Sequence, residues 1–318
     1  MTKSRAEPTT AANLEEKFDR GEDVLDYFEV EKARVMSPES QASAAKSISE
    51  ERSGAQILTL DDAEMLLRGH VGLICGPSIS RPSASFSGLA ASIAAKFGGS
   101  EVGGYLRTGQ ETIRRGAKPD ELKSMIRDVV SSAPLFNSIK RVATVRWSAV
   151  VSLSLDSSFE AELRRISEAR PSGITVTEVA KFPVVLPQKT MPVFKLLGSV
   201  DTFDFAYSET SYATRRATWR HALRNFSDRV KASPVFCLGL EDCGSILIDV
   251  LVELLAEQRT ITSPLVFVKS EFDEPTRLEL AEATSGRATI AFIDASLTDV
   301  ANRLRDVEKA GATLQLPF

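Results

Sequence analysis

Two histidines and three cysteines in 318 residues leave little material for the commonest side-chain chemistries. His70 precedes an apolar run and His221 lies in a helix-period segment, settings in which a lone histidine serves structure more often than catalysis. No Cys/His spacing suits zinc, and no Gly-Lys-Ser/Thr phosphate loop occurs. Cys75, Cys237 and Cys243 cannot all pair, and two of them fall in apolar strand-like segments where a free thiol behaves as a small hydrophobe. That usage implies a reducing compartment, hence a cytoplasmic protein. Long apolar runs are missing too. The most apolar stretch, residues 245–256, is interrupted by Asp249 and Glu253, so it reads as a buried helix and not as the ~20 residues a bilayer needs. The polar amino end lacks the apolar core of a signal peptide. A net charge of −4 exerts no overall pull toward nucleic acid.

What is present is enough apolar material for one large domain, since 43% of the residues are hydrophobic. Composition shifts near residue 55. Residues 1–54 are rich in Ser, Ala, Glu, Lys and Arg, and read as an arm that cannot offset its ordering entropy by burial. Leu14, Phe18, Val24, Leu25, Tyr27, Phe28 and Val30 form an apolar island in it, sufficient for a short docking helix with Phe18, Tyr27 and Phe28 as anchors. The run from Lys17 to Arg34 also resembles a leader in some small bacterial antitoxins. The plainer reading is an acidic amphipathic segment packed on its own domain or on a partner.

Over residues 55–318, short apolar runs alternate with helix-period segments, the pattern of a doubly wound α/β domain with a mostly parallel, Rossmann-like sheet. Strands are expected at 71–75, 148–155, 193–197, 234–238, 265–269 and 289–293. Helices are expected at 87–97, stopping at Gly98, and at 120–130 after Pro119. Ser157 with Glu160 makes a capping-box pattern, and Ser296 with Asp299 a weaker one. The last helix carries Leu297, Val300, Leu304 and Val307 and ends at Gly311.

Four short segments fall in one order along this domain. Cys75-Gly76-Pro77-Ser78-Ile79-Ser80 follows the first strand. Val151-Ser152-Leu153-Ser154-Leu155-Asp156 follows the second and leads to Phe159-Glu160. Phe194-Lys195-Leu196-Leu197-Gly198-Ser199-Val200-Asp201 comes next, then Phe236-Cys237-Leu238-Gly239. Together they resemble the Gly-Ala-Gly-Ile-Ser, Thr-Thr-Asn-(Tyr/Phe)-Asp, Lys-Leu-His-Gly-Ser-(x)-Asp and Phe-(x)-Gly-(Tyr/Thr)-Ser motifs of SIR2-type NAD-consuming domains.

The resemblance implies a pocket in which Gly76, Ser78, Ser80, Ser154, Asp156, Gly198, Ser199 and Gly239 occupy the NAD-binding positions. It also implies that no catalytic residue is left. Leu197 stands at the general-base histidine and has no titratable group. Ser154 stands at the asparagine that holds the ribose and the attacking water, and a hydroxyl lacks the carboxamide's separate donor and acceptor. Pro77 removes an N–H from the phosphate turn, and Ser78 replaces a glycine there. Asp156 is retained, with capping of the next helix as its plainer role.

The expectation is therefore a catalytically degenerate SIR2-like subunit, a structural or regulatory part of a bacterial complex of the anti-phage-defence type. An NAD hydrolase with a rearranged site and a non-catalytic sensor of NAD or ADP-ribose are the alternatives. No metal is expected, and NAD or ADP-ribose are the only cofactors the resemblance leaves open. Family analogy implies a homo-oligomer, or an ATPase, nuclease or Argonaute-like partner. Nucleic acid would enter through the basic stretch from Arg215 to Lys231, whose cations surround Trp219, Leu223, Phe226 and Val230. The plainer reading of that stretch is a surface helix whose cations pair with acidic neighbours.

Overall fold

The computed structural model describes residues 56–303 apart from 68–69, 102, 137–138, 171–173, 184, 188, 231–232, 258–263 and 285–286. The arm expected over 1–54, its docking helix, and the helix end expected at Gly311 lie outside the described residues.

Eight strands form one parallel sheet: β1 (Gln56–Leu58), β2 (Val71–Cys75), β3 (Trp147–Ser152), β4 (Thr175–Val179), β5 (Thr190–Lys195), β8 (Val235–Leu238), β9 (Leu265–Val268) and β10 (Ile290–Ile293). Their order is β1-β10-β9-β8-β2-β3-β5-β4. Counted from β2 and leaving out the edge strands β1 and β4, this is the doubly wound order 3-2-1-4-5-6, with its switch point between β2 and β8. The ribbon β6 (Gly198–Ser199) and β7 (Asp204–Phe205) is antiparallel.

The helices are α1 (Leu60–Leu67), α2 (Phe86–Phe97), α3 (Tyr105–Arg114), α4 (Pro119–Ser132), α5 (Ile139–Ala143), α6 (Ser158–Glu168), α7 (Glu209–Arg216), α8 (Trp219–Val230), α9 (Gly244–Glu257), α10 (Glu274–Thr284) and a segment at 297–303. Side chains alternate between the two faces of the sheet. Ile74 packs with α2, α4, α8 and α9 on one face, while Leu73 and Cys75 pack with α1, α5 and α6 on the other. Helices therefore cover both faces, as a parallel sheet requires.

The expected strands occur, with ends displaced by up to three residues. The edge strands β1 and β4 were not anticipated, because three residues, or five with two polar half-buried members, give no apolar run to read. Helix α2 ends as expected at Gly98 in the left-handed region, and Pro119 opens α4. The capping boxes redistribute. Ser157 makes no side-chain cap, its hydroxyl being turned to Glu178 and Ser199, and Glu160 turns into the core. Ser296 and Asp299 form the reciprocal pair instead, as do Thr59 with Asp62 and Ser208 with Ser211.

The basic stretch is also two helices, broken at Ala217-Thr218, not one. Arg215 pairs with Asp204, Arg216 with Asp249 and Glu253, and Arg229 donates to the carbonyls of Thr190 and Pro187. Its Trp219, Leu223, Phe226 and Val230 are buried.

Candidate functional site at the carboxyl ends of the central strands

Parallel register sets the geometry. Cys75 is level with Ser152 and with Leu238, and Ser152 with Lys195. Four loops thus leave the sheet from one row, at Gly76, Leu153, Leu196 and Gly239, and each carries one of the four sequence segments. The row is stitched across by backbone bonds: Leu153 N donates to Cys75 O (2.8 Å), Leu196 N to Ser152 O (3.2 Å), Val200 N to Leu155 O (2.9 Å) and Gly76 N to Leu238 O (3.0 Å).

The centre of the row is a closed polar cluster. Ser80 and Ser154 both donate to Asp156 Oδ2, at 2.7 and 2.5 Å, and their hydroxyls stand 3.2 Å apart. The Ser158 N–H donates to Asp156 Oδ1 (2.8 Å), which holds the start of α6 as a helix cap does. Burial alone would raise the Asp156 carboxyl, but Lys195 and the hydrogen bonds from Ser154, Ser80 and Ser158 outweigh it and hold the group below the usual range.

Below this cluster lies an ion pair that sequence reasoning did not anticipate. Lys195 Nζ stands 3.1 Å from Glu160 Oε1, both side chains are fully buried, and the same ammonium donates to the Asp156 carbonyl. Burial would push the Lys195 ammonium down, yet Glu160 and Asp156 hold it above its ordinary value; burial pushes the Glu160 carboxyl up. The available signal was position: Glu160 sits between Phe159 and Leu163 on the apolar side of its helix, and Lys195 ends an apolar strand.

The switch-point turn is occupied by its own chain. Between Gly76 and Ser80, Gly76 N, Ile79 N and Ser80 N already donate to carbonyls and Pro77 has none to give. A Cβ on Gly76 would stand 2.1 Å from the Gly239 carbonyl oxygen, and one on Gly239, whose φ is +68°, 2.6 Å from Ile79 N. The two loops therefore touch backbone to backbone. Successive N–H groups of this kind bind anions. Here Gly239 N and Leu240 N donate at 2.8 and 2.9 Å to the two oxygens of Glu271, from the turn after β9. Burial raises that carboxyl to about 8. Three N–H groups of the Gly76–Ser80 turn and two of the Gly239–Leu240 turn are thus engaged within the chain.

The remaining expected residues serve the scaffold. Leu197 is fully buried in one apolar cluster with Leu153, Leu155, Leu196 and Val200. Gly198 has φ +80°, and a Cβ there would meet the Asp204 carbonyl at 2.1 Å, so the β6–β7 ribbon requires glycine. Ser199 accepts from Asp201 N at 3.1 Å, and Ser78 is buried. All eight expected binding positions, with Leu197, thus lie in the four loops beyond one row of strand ends. Ser80, Ser154 and Asp156 touch one another.

Glu271 was missed because nothing in Lys269-Ser270-Glu271 distinguishes a turn carboxyl that folds inward. A cleft of about 710 Å³ opens nearby between α3, α4 and α7, lined by Lys123, Lys181, Phe182, Tyr207 and Arg215 among others, and by none of the eight expected NAD-binding positions. Among the described residues no cluster could hold a metal ion, and no helix is long and apolar enough to cross a membrane. The three cysteines are free, buried and held well above their ordinary pKa by burial.

The fold is that of a doubly wound, Rossmann-like α/β protein. Compared with protein-family models and with curated proteins, the chain matches none.

Proposed function

We propose that this chain is a catalytically degenerate SIR2-like subunit that contributes structure or regulation to a bacterial complex and does not turn over NAD. The observation that carries this reading is the close approach of the two switch-point loops, where Gly76 meets Gly239 and Glu271 takes the N–H groups of Gly239 and Leu240. Leu197 and Ser154 support it, since neither is a base at a site that needs one. An ATPase, nuclease or Argonaute-like protein, or a second copy of the chain, is the partner that this reading assigns.

The test is cleavage of a fluorescent NAD analogue at micromolar protein, with calorimetric titration of NAD and ADP-ribose alongside. No turnover above buffer and no heat of binding are expected. Turnover that disappears in Ser154→Ala or Asp156→Ala would restore the hydrolase with a rearranged site. Saturable binding without turnover would restore the sensor.

A further inference from the structure

The amino ends of the same strands carry a different chemistry. His70, Arg146 and Lys189 are the residues immediately before β2, β3 and β5, which lie side by side, so three basic side chains are set along one edge of the sheet. Behind them is a pocket of about 600 Å³, within the range that holds small-molecule ligands. Its apolar lining includes Trp147 and Leu163, both buried, and Ile166 and Met191, both half-buried. Ile174 at its lip is 45% exposed. Arg170 and Arg229 complete the basic rim.

A second groove of about 420 Å³ shares Ile166 and Arg170 with the pocket and adds Lys140, Arg141 and Arg165. Among the described residues no Asp or Glu lines either one, although the chain holds 43 acidic residues against 39 Lys and Arg. Concavities lined by charge of one sign concentrate ligands of the other. Arg165 is paired, with Glu162, and Arg229 is fixed by backbone carbonyls. Arg146 and Lys189 have no carboxylate partner among the described residues. Partly exposed apolar side chains behind Arg146 and Lys189, which lack a carboxylate partner among the described residues, ask for a ligand with both characters.

We propose that this pocket binds a small organic anion with an apolar body, of the acyl or aryl carboxylate class. Its carboxylate would lie against Arg146 and Lys189, and its apolar part over Ile166, Met191 and Ile174. A phosphodiester chain would satisfy the rim and leave the apolar floor in water, so the amphiphile is favoured. The proposal does not depend on the SIR2-like reading, because the pocket and the crevice lie at opposite ends of the strands.

Full-length protein titrated with the anionic probe 8-anilinonaphthalene-1-sulfonate tests it. Saturable binding at one site is expected, with displacement by decanoate, and much weaker binding of the neutral probe N-phenyl-1-naphthylamine. Arg146→Glu with Lys189→Glu, and separately Ile174→Trp to fill the lip, should each weaken the anionic probe by about tenfold or more. Arg146→Lys should hold it within about threefold, and all variants should melt cooperatively as the parent does. Equal binding of the neutral probe, failure of decanoate to compete, or affinity unmoved by both the charge-reversal and the filling variants would overturn the proposal. So would a labelled oligothymidylate that binds where both small anions fail.

Discussion

The two ends of β2, β3, β5 and β8 can be compared group by group. At the carboxyl ends Ser80, Ser154, Asp156, Lys195, Glu271 and the Gly239 N–H all have partners within the fold, and the loops meet at backbone distance. At the amino ends Arg146 and Lys189 have no carboxylate partner among the described residues, and apolar side chains line an open concavity. Open α/β sheets place ligands at the carboxyl ends. In this chain most polar groups at those ends bond within the fold, Ser152 Oγ and Glu160 Oε2 being exceptions, while among the described residues Arg146 and Lys189 at the opposite ends have no carboxylate partner. Polar residues at a favoured location are therefore not a site until their hydrogen bonds are counted.

The sharpest way to break the comparison is at Lys195. If the carboxyl-end cluster is structural, Lys195→Met should cost about 3–5 kcal/mol, because Glu160 is left buried without its counter-charge. The double variant Lys195→Met/Glu160→Leu should recover most of the loss, since a buried pair replaced by apolar groups of similar volume is often neutral. Urea denaturation measures both. A single variant as stable as the parent would mean that water or a ligand reaches Glu160, and that the carboxyl end is not closed.

A smaller effect should follow pH through Glu271. Below its ordinary value of 4.5 the carboxyl is protonated in both the folded and the unfolded chain; above about 8 it is ionised in both. Between these limits the unfolded chain releases a proton that the fold retains. Stability conferred at low pH is therefore lost as pH rises across that window, with a slope of at most about 1.4 kcal/mol per pH unit from this group. Glu271→Gln should remove that slope, whatever it does to stability at any one pH. Denaturation midpoints at pH 5, 6.5 and 8 for both proteins give the comparison, and an unchanged slope would show that the carboxyl does not fill the Gly239–Leu240 turn.

Much of this architecture was legible in the sequence. The buried parallel strands announce themselves as apolar runs, and Gly98 and Pro119 mark helix ends by their own backbone constraints. The four motif segments identified the loops that converge, since order along the chain and strand alternation suffice to set one row. Partner choice was not legible. Glu160 satisfied the spacing of a capping box with Ser157, yet the pull of Lys195 in the core prevailed over a surface hydrogen bond worth about 1 kcal/mol. Glu271 and the amino-end cations are far apart in sequence, and only the sheet order brings His70, Arg146 and Lys189 together.

The smallest expected effect is also the one that separates the two ends most cleanly. Arg146 and Lys189 are exposed, and no carboxylate among the described residues is paired with them, so truncating either to alanine should change stability by less than about 0.5 kcal/mol. Such silence is informative only beside the Lys195 result. A cationic side chain whose removal is costly is holding the fold, whereas two whose removal costs nothing, set over apolar surface at adjacent strand starts, are available to something outside it. Thermal melts of Arg146→Ala and Lys189→Ala decide the point. A loss of 1 kcal/mol or more in either would place that cation among the structural ion pairs and remove the contrast between the ends.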